Sequence, residues 1–307
     1  MGVISENNKR IVKNTLLLYV RMIFTMVVSL YTSRIVLATL GIDDYGIYNV
    51  VGGVVAMFSV LSGSLSSAIS RFITFELGHG DSKRMKLIFS TSIIIQIVMA
   101  FVVLLVAEIA GVWFINEKMN IPNDRLFAAN WVLQCSILTF IINLISVPYN
   151  ATIIAHEKMS AFAYVSILEV ILKLLIVYLL YMSSYDRLIV YALLLMLVAL
   201  VIRVVYGIYC KKHFAEASYS LIWDRNVFNE MLRFAGWNFL GNTSYILNTQ
   251  GVNMLINLYF GVALNAARGI AVQVDGAVMS FVNNFTVALN PQITKSYASG
   301  DYQYMYK

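Results

Sequence analysis

Proline and cysteine are nearly missing from this chain, three and two among 307 residues, and charged residues make up only 12% of it. So little charge, beside 60% hydrophobic residues and a mean hydropathy of +0.75, excludes a soluble domain of this length. Cys135 and Cys210 fall in apolar stretches with no pairing pattern, which excludes a disulfide framework and makes them small buried apolar residues. His79, His156 and His213 lie in separate connections without ligand spacing, so no metal or cofactor is implied. No G-x-x-x-x-G-K-[ST] loop, H-E-x-x-H pair or nucleophile elbow occurs. The chain therefore hydrolyses no nucleotide by itself, and a non-enzyme is expected. The net charge of +6 is spread over short loops and tails with no binding stripe, which excludes a nucleic-acid partner.

Long apolar runs are what the chain has instead. A membrane-spanning helix needs roughly 20 apolar residues, and eight candidates lie at 15–40, 46–70, 87–112, 130–154, 160–182, 188–210, 235–260 and 263–290. The first follows Lys9, Arg10 and Lys13 but is too long for a signal sequence, contains Arg21 and lacks a small-residue cleavage site, so it is expected to stay. With the N-terminus inside, Arg71, Lys83, Arg84, Lys86, Lys158, Lys211, Lys212, Arg225, Arg233, Lys295 and Lys307 join those three bases on the cytoplasmic side. Only Lys118, Arg125 and Arg187 remain outside, a strong positive-inside bias.

Several spans carry charge: Arg21, Arg34, Glu169, Lys173, Arg203, Arg268 and Asp275. A charge in hydrocarbon costs several kcal/mol unless paired or wet, so these positions point to a polar path. Glu169 and Lys173 are one turn apart near the middle of their helix and can neutralise each other. Asp275 is equally deep and must be paired or face water. Arg21, Arg34, Arg203 and Arg268 lie nearer an end, where a long side chain can snorkel. Arg21 and Arg34 are separated by about 220° around a straight helix. Arg21 shares its face with Thr25, Ser29 and Thr32 and is read as cavity-lining, while Arg34 either lines the cavity or anchors the outer end. Glu108, beside Trp113, reads as a boundary residue.

Polar residues form stripes. Asn238, Asn242, Tyr245, Thr249 and Asn253 share one face of the seventh stretch, Asn265, Arg268, Asp275, Asn283 and Asn290 one of the eighth, and Thr139, Asn143, Ser146 and Asn150 one of the fourth. Such stripes either face a common polar interior or bond helix to helix. Residues 211–234 mix charges with Ile222, Trp223, Phe228, Met231, Leu232 and Phe234, as an interfacial amphipathic helix or a linker between helix bundles would. Leu40-Gly41 and Phe260-Gly261 each lead from one apolar helix into another, a weak internal repeat.

The string Ser33-Arg34-Ile35-Val36-Leu37-Ala38-Thr39-Leu40-Gly41-Ile42-Asp43-Asp44-Tyr45-Gly46-Ile47-Tyr48 resembles the R…LG-x-x-[DE]-Y-G-[IL]-Y signature of bacterial polysaccharide exporters. These are the Wzx-type O-antigen flippases of the multidrug/oligosaccharidyl-lipid/polysaccharide (MOP) exporter superfamily. Val147-Pro148-Tyr149-Asn150-Ala151 with Ile154-Ala155-His156-Glu157-Lys158-Met159 is similar to the end of that family's fourth helix, and Phe234-Ala235-Gly236-Trp237-Asn238 to the start of its seventh. The resemblance implies an all-α polytopic membrane protein, a MATE-like bundle of two six-helix lobes around a cationic cavity. It implies a first lobe at 1–210, a cytoplasmic amphipathic linker at 211–234, and at 235–307 the first two helices of an incomplete second lobe. A fragment of a longer protein is therefore expected.

The implied substrate is an undecaprenyl-pyrophosphate-linked oligosaccharide carried to the outer leaflet of the bacterial inner membrane for O-antigen or lipopolysaccharide synthesis. Arginine forks suit pyrophosphate and amide edges suit sugar hydroxyls. The expected path is Arg21, Arg34, Lys173, Arg268, Asn238, Asn242 and Asn253, with Glu169 and Asp275 pairing charge or binding a coupling cation, Na+ or H+. Membrane lipids are the other expected partners. A cation-coupled multidrug exporter would share the fold but rely on carboxylates, which this interior has fewer of than bases. A membrane glycosyltransferase would need acidic residues in a large outer loop, and the longest here is 113–128.

Overall fold

The computed structural model describes residues 2–117, 121–218 and 222–302, with the side chains of 2–10, 56, 245–274 and 277 left aside. Every regular element among these residues is helical: α1 (Gly2–Leu40), α2 (Ile42–Ala56), α3 (Ser59–His79), α4 (Ser82–Val106), α5 (Val112–Glu117), α6 (Leu126–Ala155), α7 (Met159–Met182), α8 (Arg187–His213) and α9 (Arg225–Ala298). A π-turn at Ala107–Gly111 joins α4 to α5, and a 3-10 turn at Ala215–Ala217 follows α8.

The breaks have local causes. Gly41 takes φ 83°, a value L side chains rarely adopt, and lets the chain reverse into α2, whose first turn carries Asp43 and Asp44 against the helix dipole. Gly80 ends α3 in the left-handed region, and Asp81 then caps α4 by accepting from the N–H groups of Lys83 and Arg84 at 3.0 Å. Asp186 and Asp224 cap α8 and α9 in the same way.

Among the described residues, α1, α4 with α5, α6, α7 and α8 are long and apolar enough to cross a membrane. Together, α2 and α3 are also apolar enough, as a broken span or a re-entrant pair bent by 48° at Met57-Phe58, where an unbroken helix over 46–70 is expected from hydropathy. Gly52, Gly53, Ser59 and Gly63 surround the bend and offer little resistance to it. Large apolar residues face outward as readily as inward: Leu16, Val20, Ile23, Val27 and Leu30 form an exposed stripe on α1. That is a lipid-facing surface.

Inside, two cores stack along the bundle. One gathers Val51, Ile115, Val132, Leu133, Ile137 and Leu188 at the end of α2, α5, α6 and α8. The other gathers Ile69, Ile73, Ile88, Phe89, Ile153, Tyr206 and Met231 around α3, α4, α6, α8 and the start of α9.

The helical path of α9 is continuous, yet α9 is no straight rod. Phe234 and Val287 would lie about 80 Å apart at 1.5 Å per residue, but both line one cavity against α3. The two ends of α9 therefore come close to each other beside α3. The side chains at Phe260-Gly261, where a turn is expected, are among those left aside.

Candidate functional site

Arg21 stands where three elements meet. Its Nη1 donates to Ser166 Oγ on α7 at 3.4 Å and its Nη2 to Asn284 Oδ1 on α9 at 3.2 Å, while the guanidinium lies 4.6 Å from the Phe162 ring centroid. Its Nε is buried without a protein partner. Asn284 also reaches Met22, and Tyr19 packs on Phe281, so one face of α1 is tied to the late half of α9. Arg21 is thus partly buried against α7 and α9, and Asn284 is a partner that the α9 stripe through Asn283 missed by one position.

One turn further along α7, Glu169 and Lys173 form the expected ion pair, Nζ to Oε1 at 2.6 Å. They line a cavity of about 240 Å³ with Thr139 and Asn143 of α6, Tyr48 of α2 and Ala199 of α8. Of the α6 stripe, Thr139 and Asn143 line this cavity, while Ser146 bonds the Ile142 carbonyl within its own helix. Arg21, Ser166, Glu169 and Lys173 make a ridge with two cations and one anion.

A second polar face was not foreseen. On α3, Gly63, Ser66, Ser67, Ser70 and Thr74 line a cavity of about 480 Å³ against Val287, Asn290 and Thr294 of α9. Beside it, Asn242 Nδ2 donates to Ser64 Oγ at 3.1 Å, and Asn238 Nδ2 is buried without a protein partner. The small-polar pattern Ser62-Gly63-Ser64 and Ser66-Ser67 was the available signal.

Both ends of the bundle are tied by ions. At one end, Arg125 forks onto Asp44 and Asp186, donating Nε to Asp44 Oδ1 at 2.9 Å and Nη1 to Asp186 Oδ2 at 2.7 Å. The hydrogen bond to Asp44 holds the guanidinium pKa above its ordinary value. At the other end Glu157, in the left-handed region with φ 57°, pairs with Lys295 at 2.9 Å, accepts from Gln292 at 2.9 Å, and offers its carbonyl to Asn14. Next to it His156 bonds Glu216 and stacks on Phe214, pinning the segment after α8 to the α6–α7 turn. Burial pushes the Glu216 carboxyl up, but hydrogen bonds from His156 and its own backbone outweigh this and leave it below the usual range.

The remaining expected residues divide. Arg34 and Asp275 are exposed, so Arg34 takes no part in the Arg21 cluster. Arg203 stacks at 3.9 Å on Tyr149 instead of snorkelling, and Glu108 accepts from Gln134 at 2.9 Å, more than a boundary residue does. Arg268 and Asn253 lie outside the described residues. Asn242 bonds Ser64 of α3 instead of the Arg21 ridge.

The fold is shared by solved transporters of the MOP superfamily. An outward-facing multidrug resistance MATE family transporter superposes with a TM-score of 0.69 at 15% identity, covering 98% of this chain and 67% of that one. A MOP superfamily transporter from Pyrococcus furiosus, described as having a binding pocket of reverse polarity, gives 0.73 at 16%, with 98% and 67% covered. The membrane protein EpsK of Bacillus subtilis strain 168 is 19% identical over 281 residues, 91% of this chain and 55% of EpsK. The chain thus spans about half the length of that relative.

Apolar spans and a MATE-like helical fold define a multi-pass membrane protein. Residues 11–297 match the model of the polysaccharide biosynthesis protein family, and the chain belongs to that family.

Proposed function

We propose that this protein is a flippase that carries an undecaprenyl-pyrophosphate-linked oligosaccharide from the inner to the outer leaflet for surface polysaccharide synthesis. The observation that carries the reading is the net-positive ridge of Arg21, Glu169 and Lys173 inside an apolar bundle. A pyrophosphate cannot cross hydrocarbon unaided, since desolvating its charge costs many kcal/mol. Fixed guanidinium and ammonium groups replace its water. The hydroxyl and amide groups on α3, α6 and α9 suit the sugars, and the exposed apolar flanks leave the polyprenyl tail in lipid.

In this reading residues 1–210 form the first lobe, 211–234 a cytoplasmic linker, and 235–307 the beginning of a second lobe. The N-terminus is cytoplasmic, the membrane is the bacterial inner membrane, and Asp275 and Glu169 are the carboxylates available to a coupling Na+ or H+. Cells lacking the gene test it. Lipid-linked glycan should accumulate on the inner leaflet and return to the outer leaflet on complementation; drug efflux restored without glycan export would assign a drug exporter instead.

A further inference from the structure

Arg71 and Phe234 belong to two cavities at once. One is the space of about 480 Å³ between α3 and α9, lined by Ser70 and Asn290 among others. The other, about 340 Å³, is a groove on the flank of the same helix pair, lined also by Arg233, Trp237 and Glu230. The Arg71 guanidinium lies 4.6 Å from the Phe234 ring centroid, so this pair forms the wall between groove and interior. From the structure we infer that the groove is a lateral doorway that takes the phosphate headgroup of a lipid from the inner leaflet, with Arg71 and Arg233 as its ligands and the Arg71–Phe234 contact as the door.

Charge, chemistry and depth agree on the occupant. Two guanidinium groups face one carboxylate, Glu230, leaving a net positive site for an anion. Arg71 and Arg233 each lie about 12 Å inside the cytoplasmic ends of their helices, counting 1.5 Å per residue. On the proposed orientation that depth suits the headgroup region, where an exposed tryptophan such as Trp237 favours an interfacial position. A cation–π contact is worth about 0.5–1 kcal/mol at an exposed site. A phosphate fork outcompetes it, so an arriving headgroup draws Arg71 off Phe234 and opens the way to the serine-lined cavity. The inference rests on the proposed cytoplasmic orientation, and on the flippase reading for the fate of the lipid once bound.

Native mass spectrometry of the detergent-solubilised protein, titrated with a polyprenyl monophosphate, the uncharged polyprenol and inorganic phosphate, tests it. The polyprenyl phosphate should bind, and Arg71→Ala or Arg233→Ala should each weaken it roughly tenfold or more. Arg71→Lys should recover part of the loss, and Lys83→Ala, an exposed base elsewhere on the inner face, should change nothing. Equal retention of polyprenol, saturation by inorganic phosphate at the lipid's concentration, or wild-type binding by the double Arg71→Ala, Arg233→Ala variant would overturn the doorway. The two readings fail separately. Headgroup binding without glycan export refutes the cargo, whereas full glycan export by that double variant refutes the doorway.

Discussion

Glu169 and Lys173 answer each other across one helical turn, and their position in a cavity explains why the membrane tolerates them. Removing either partner strands a charge, while removing both strands none. Glu169→Ala and Lys173→Ala should each destabilise the protein more than the double replacement, with a coupling of about 1–2 kcal/mol. A double-mutant cycle of unfolding in detergent checks this, and additive losses would contradict the pairing. This pair was legible because four-residue spacing is local. Arg125 was not: its partners Asp44 and Asp186 are 81 and 61 positions away, and a loop arginine carries no mark of which carboxylates the fold brings to it. Arg21 falls between. Its polar face could be read from Thr25 and Ser29, its partner Asn284 only from the fold.

Among elements, the ion clusters join helix ends that hydropathy treats as unrelated. Arg125 ties the α1–α2 turn to the starts of α6 and α8, so Arg125→Ala leaves two carboxylates facing each other. We expect a loss of about 1–3 kcal/mol, seen as a lower unfolding midpoint and reversed in part when Asp44→Asn and Asp186→Asn are added. At the opposite end Glu216 has a folded pKa below its unfolded one. Its contribution is therefore complete above the ordinary glutamate value of about 4.3 and is lost as pH falls through the lower folded value. The stability gap between wild type and Glu216→Gln should be constant near neutral pH and shrink under acid; a gap that widened under acid would contradict the assignment. Spans were legible as apolar length, a property of each segment alone. The bend at Met57-Phe58 and the π-turn at Ala107–Gly111 were not, because hydropathy runs through both without a break.

For the whole molecule, orientation and cargo are linked claims. Cys135 and Cys210 are buried, so introduced cysteines report against a silent background. In intact cells an impermeant thiol reagent should label Asn123→Cys and spare Ala215→Cys, both exposed positions; the reverse would invert the topology. The most direct measurement of the transport mechanism is the amount of lipid-linked glycan reaching the outer leaflet in cells carrying Arg21→Ala, Arg21→Lys or Lys173→Ala at matched expression. A cationic path for a pyrophosphate predicts a fall of roughly tenfold or more for the alanine variants and an intermediate level for Arg21→Lys, which keeps charge but loses the fork. Undiminished export by both alanine variants would contradict it.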